Sequence, residues 1–126
     1  MNQEIEVPAV RRDIRDCLEA LADETLQRRV WLGGEFIEGR YATASDPINN
    51  LDLLFGDEEN PWDSVGYSLR NEAEAALIRR VMVAVGVALS QVKDPKTATD
   101  RELLATPGLR SVVDAAARAL EEMSRE

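Results

Sequence analysis

Carboxylates are the one kind of reactive side chain this sequence holds in abundance. It carries 24 Asp and Glu, a single cysteine, Cys17, and no histidine. Histidine is the commonest general base and metal ligand, so a Ser-His-Asp or Cys-His centre cannot be assembled. A lone cysteine makes neither an internal disulfide nor a cysteine-based zinc site. Lys93 and Lys96 are the only lysines, both beside an expected helix end, a poor setting for a buried Schiff-base amine. No glycine-rich phosphate loop or dinucleotide fingerprint occurs. Paired carboxylates are the remaining route to chemistry.

Asp13, Asp16 and Glu19 share one helix face, and Asp57, Glu58, Glu59 and Asp63 crowd a turn. The turn could gather a hard cation through oxygen ligands, but it lacks the spacing of an EF-hand. Glu35 and Glu38 form an E-x-x-E, the spacing with which all-α nucleotide pyrophosphohydrolases hold magnesium opposite an E-x-x-D on the next helix. No E-x-x-D occurs anywhere in this chain, and Glu35 follows the Gly33-Gly34 helix stop. The resemblance to those enzymes fails at its ligands. No catalytic residue, metal or cofactor is assigned.

The charge itself is more informative. The formal net charge is −9. Residues 1–63 hold 15 acids and 6 bases, whereas residues 64–126 hold 9 of each. Eight of the acids lie between Glu35 and Asp63, facing only Arg40. Nucleic acids and anionic membranes call for basic patches, so neither is an expected partner. All six aromatic residues, Trp31, Phe36, Tyr41, Phe55, Trp62 and Tyr67, fall in nearly the same window. Two explanations compete: the rings pin an irregular segment onto a core, or some of them, Tyr41 and Trp62 foremost, are exposed anchors ringed by carboxylates. Interfaces use aromatic anchors with complementary charge. The candidate partner-binding residues are therefore Glu35, Phe36, Glu38, Tyr41, Asp57, Glu58, Glu59, Trp62 and Asp63.

The elements that must position these residues are organised around Asn71 to Val92. Val81 to Leu89 is a run of nine non-polar residues, too short to span a bilayer and apolar on every face. Its valines alternate as a strand's would, yet Asn71 with Glu74 has the spacing of an N-cap and its reciprocating acid. The length decides for a helix, buried on all sides. Gly86 inside it implies close approach of a neighbouring helix.

Val7, Val10, Ile14, Cys17 and Leu21 form the seam of a first amphipathic helix, and Cys17 reads as a small core residue. Asp23 can cap a second, ended by Gly33-Gly34. Asp46-Pro47, Asn60-Pro61, Asp94-Pro95 and Thr106-Pro107 each pair a capping residue with the proline favoured at a helix's first position. The first of these would open a helix ending at Gly56, and Thr99 with Glu102 makes a capping box for a short helix after Asp100. Leu109, Val113, Ala116, Leu120 and Met123 form the last seam. The fold expected is all-α: one domain over residues 1–126, about five helices around the buried central one, with an irregular acidic segment at 33–63.

The strings QRRVWLGG, LDLLFGDEENPW, SLRNEAEAALIR and LLATPGLRSVVDAAARAL resemble a family of small acidic actinobacterial proteins of uncharacterised function. The resemblance implies a self-contained domain and carries over no functional residue. Function is expected to be non-catalytic binding of a protein with a basic surface, as an immunity protein or antitoxin blocks a toxin. A homo-oligomeric adaptor is the alternative, with a homodimer left open, and a magnesium-dependent carboxylate enzyme ranks third. MNQEIEVP shows no secretory signal, so the cytoplasm is the expected location.

Overall fold

The computed structural model describes residues 6–38, 40–55, 61–94 and 98–125. The described residues are 71% helical and include no strand, which makes the fold all-α. Helix α1 spans Pro8–Ala22. Asp23 then caps α2, Glu24–Leu26, by accepting the Leu26 N–H at 3.0 Å, and the chain continues in π-helical geometry over Gln27–Leu32. Helix α3 covers Ser45–Phe55, the helix expected from Asp46-Pro47, and lies within the acidic segment at 33–63. A 3₁₀ turn, Pro61–Ser64, leads to α4, Glu72–Ser90, then to α5, Asp100–Leu104, and α6, Leu109–Ser124.

Local chemistry explains most of these boundaries. Asn71 accepts the Glu74 N–H at 3.0 Å and starts α4. Thr99 and Glu102 form the expected capping box at α5. Gly34 takes a left-handed φ of 71° after the last turn of the π-helix, where an L side chain would be strained. The Thr106 hydroxyl departs from expectation. It donates back to the Leu103 carbonyl at 2.8 Å and closes α5, while Gly108 stands at the start of α6. Pro47 and Pro61 lie at helix starts, and Pro8, preceded by Val7 rather than a capping side chain, opens α1. Pro95, Gly56 and Asn60 lie outside the described residues.

Helix α6 is the hub. It packs against both α4 and α1, and α3 lies against α1. That position accounts for the breadth of its buried face, where Val112, Val113, Ala116, Ala119 and Met123 are all sealed, a wider band than a two-residue seam. The same widening occurs in α1, where Leu18 and Ala20 join Ile14, Cys17 and Leu21.

Two expectations about α4 are overturned. The helix is not enclosed: Ala75, Ile78, Val81, Met82, Val85 and Ala88 face the core, but Val83 and Val87 are each 46% exposed. A helix has room for one buried stripe against α6, and no described element lies over the opposite line. Gly86 stands on that outer side, and a Cβ there would meet nothing within 4 Å. The close approach occurs instead at Gly108, where a Cβ would come within 2.7 Å of Gln91 Oε1 and 3.2 Å of Ala88 Cα. Gly108 also donates its N–H to Gln91 Oε1, joining the start of α6 to the end of α4.

Candidate interaction surface

The structure sorts the six aromatics into two groups. Trp31 and Phe55 are buried in the core, and Trp31 Nε1 donates to the Tyr41 carbonyl at 2.9 Å. Tyr41 is half-buried, its hydroxyl taken up by Asn50 at 3.1 Å and Cys17 Sγ at 3.4 Å. These three pin the segment after Gly34 onto α1 and α3, so Tyr41 is not an exposed anchor. Phe36 is 80% exposed, and Trp62 and Tyr67 are exposed by 42% and 44%. Leu53, on α3, is 82% exposed and was not singled out by its sequence.

The acidic candidates have different settings. Glu35 is exposed and forms a bidentate pair with Arg29, Nε to Oε2 at 2.8 Å and Nη2 to Oε1 at 2.6 Å. The Arg29 guanidinium holds this carboxyl below its ordinary range, and Glu35 in turn raises the arginine. Arg40, the single base of the segment, turns to α1 and meets Asp23 at 3.1 Å and Glu19 at 3.5 Å. Glu38 and Asp63 are exposed. Asp57, Glu58 and Glu59 lie outside the described residues. The candidate residues are thus anchored in separate places: Glu35 at the end of the π-helix, Tyr41 between α1 and α3, and Trp62 on the turn that packs against α4.

Cys17 and Tyr41 meet inside the core in a setting that disfavours their ionised forms. Cys17 is fully buried; burial pushes its thiol up, the Tyr41 and Asn50 hydrogen bonds oppose this, and the charges of Asp13 and Asp16 add to the rise. Burial also raises the Tyr41 hydroxyl, to about 12. Among the described residues, no group of three Cys, Asp or Glu side chains could hold a metal ion. A core cavity of about 10 Å³, bordered by Trp31, Val85 and Val112, has room for no more than a water molecule.

The most elaborate polar assembly went unforeseen in the sequence. Glu74 is completely buried and accepts four hydrogen bonds. Arg11 supplies two at 2.8 Å, and Arg70 supplies one from its backbone N–H at 2.8 Å and one from Nε at 2.9 Å. Both guanidinium groups then reach the end of α6, Arg11 to the Met123 carbonyl at 2.9 Å and Arg70 to Glu122 at 3.0 Å. Carbonyls at a helix C-terminus lack intrahelical donors and carry the negative end of the dipole. The cluster therefore ties α1, α4 and α6 together. Its role is architectural.

The chain belongs to a family of domains of unknown function, DUF7945, whose family model matches residues 5–126. No curated protein and no solved structure matches it. Among the described residues, no helix is long and apolar enough to cross a membrane.

Proposed function

We propose that this protein is a non-catalytic binding module, acting in the cytoplasm, that docks on the basic surface of another protein. Its contact side chains are Phe36 between Glu35 and Glu38, and Trp62 beside Asp63. The observation that carries this reading is the contrast within one segment: Trp31 and Phe55 are each 8% exposed, whereas Phe36 is 80% exposed with acidic neighbours. Leaving a phenyl ring in water forgoes roughly 1.5–3 kcal/mol that burial would contribute. A partner that covers the ring recovers that energy, and exposed Glu38 together with the chain's net negative charge steers a cationic surface towards it, Glu35 being paired with Arg29. An immunity- or antitoxin-like neutraliser of a basic protein fits this chemistry.

Incorporation of a photo-crosslinking phenylalanine analogue at position 36 in the source cells tests the proposal directly. The expected product is a covalent adduct with a distinct, strongly basic protein. That protein, purified, should bind the unmodified chain with an affinity that falls as salt rises, and Phe36→Ala or Trp62→Ala should weaken it by about tenfold or more, as truncation of an interface anchor does. Crosslinking to no foreign protein, or binding indifferent to both substitutions, overturns it.

A further inference from the structure

Gln27 caps the end of α1 with more than a cap requires. Helix α1 has no basic residue in its last turn. Gln27, only 3% exposed, folds back beneath it and donates Nε2 to the Leu21 carbonyl at 2.9 Å and the Ala20 carbonyl at 3.3 Å. A lysine or arginine is a common partner for such carbonyls and brings donors alone. Glutamine brings an acceptor as well. The two donated bonds fix the amide, and its Oε1 accepts no hydrogen bond from any described residue. Gln27 also opens the π-helical stretch Gln27–Leu32, a geometry that is rare and frequent at functional sites.

The same side chain borders an open hollow of about 190 Å³ where the π-helix meets Leu104 of α5 and the start of α6. Leu32, Leu104 and Leu109 are its half-buried apolar walls, and Glu24 and Arg28 stand at its rim. Gln27, Leu104 and Leu109 border the small core cavity too, so they form the partition between the hollow and the interior. Gln27 is the polar part of that partition.

We propose that this hollow binds a small, neutral aromatic molecule carrying one N–H or O–H donor, of the indole or phenol class. Each part of that description answers a part of the site. The unused Gln27 Oε1 calls for a donor, since a ligand without one would expel water and strand the oxygen. Three leucines call for an apolar body, and the volume suits one or two fused rings, a cavity of about 150 Å³ being enough for benzene. Arg28 favours an aromatic body over an aliphatic one. Its guanidinium is exposed and 3.8 Å from Glu24, outside hydrogen-bond distance, so it can lie over a ring face. The rim is balanced in charge: Glu24 is also held by Arg110, which pairs in turn with Asp114. A charged ligand would find no counterpart there. Neither Phe36 nor Trp62 borders the hollow, so the site is independent of the docking surface proposed above.

Indole titrated into the isotope-labelled full chain tests this by NMR. The backbone amides of Gln27, Arg28, Leu32, Leu104 and Leu109 and the Gln27 side-chain amide should shift together, with a dissociation constant on the order of 1 mM, ordinary for so small a ligand. Benzothiophene matches indole in shape but lacks the N–H, and it should bind at these residues about tenfold more weakly. A merely apolar hollow would reverse that order, because benzothiophene is the more hydrophobic of the two. Arg28→Ala should weaken indole about threefold, as loss of an exposed cation–π contact does, and leave circular dichroism unchanged. No shift up to about 10 mM indole, shifts centred elsewhere, benzothiophene binding as tightly as indole, or an affinity untouched by Arg28→Ala would each overturn the proposal.

Discussion

Glu74 and Arg11 stand 63 residues apart in sequence and meet through two parallel hydrogen bonds of 2.8 Å, with the carboxylate sealed from solvent. A buried ion pair is weak evidence of stability in itself, because desolvation offsets much of the attraction. Breaking one is another matter. Glu74→Ala would leave the half-buried guanidinium groups of Arg11 and Arg70 without their shared counter-ion, at a cost of about 3–5 kcal/mol. Thermal unfolding should then fall by roughly 10–20 °C for a domain of this size. Urea unfolding followed by circular dichroism reads the loss, and a change under about 1 kcal/mol would refute the account.

The same pair sets the acid limb of stability. Burial opposes the charge on Glu74, but the hydrogen bonds from Arg11 and from the backbone and side chain of Arg70 together outweigh it and hold the carboxyl below its ordinary 4.5. A carboxyl lowered on folding contributes stability that is complete above its unfolded value and lost as pH falls through its folded one. Urea midpoints should therefore hold steady above about pH 5 and drop below 4.5. Asp100 has the opposite sign, since burial raises it above its ordinary value of 3.8. The test is Glu74→Gln, which should lower stability at neutral pH and flatten the fall below pH 4.5.

Two glycines offer a paired test of backbone and packing. Gly34 has a φ of 71°, whereas Gly86 is helical with open space at its Cβ position. Gly34→Ala should cost about 1–2 kcal/mol, the penalty for an L residue in the left-handed region. Gly86→Ala should stabilise the protein by about 0.5–1 kcal/mol, as helix propensity dictates. Denaturant midpoints moving in one direction for both substitutions would contradict the assignment.

Capping and periodicity were local enough to read from the chain. Asp23, Asn71 and Thr99 each cap the helix that their spacing indicated. Tertiary relationships were not legible in this way. Gly86 and Gly108 look alike as letters, yet only Gly108 touches a neighbouring helix, because closeness depends on where α6 begins relative to α4. Glu74 was readable as a first-turn acid, but its burial depends on Arg11 arriving from a distant helix and on Arg70 folding back. Among the candidate contact residues, sequence marked both Phe36 and Tyr41. Only the packing of Tyr41 against Cys17 and Asn50 distinguishes the pinning ring from the exposed one.

That distinction between inside and outside can be followed in solution through the two tryptophans. Trp31 is 8% exposed and donates Nε1–H to the Tyr41 carbonyl, whereas Trp62 is 42% exposed on the turn before α4. Acrylamide, being neutral, should quench Trp62 freely and Trp31 scarcely. Trp62→Phe should therefore leave a protein whose remaining emission resists quenching, and Trp31→Phe one whose emission is readily quenched. Stability should separate them in the reverse order. Trp31→Phe removes the donor to a carbonyl in the packed interior and shrinks a filled volume, at about 1–3 kcal/mol. Trp62→Phe alters a half-solvated ring and should stay within about 0.5 kcal/mol of the parent. Equal quenching of the two variants would mean that the rings share one environment, and the separation of pinning from presenting aromatics would fail with it.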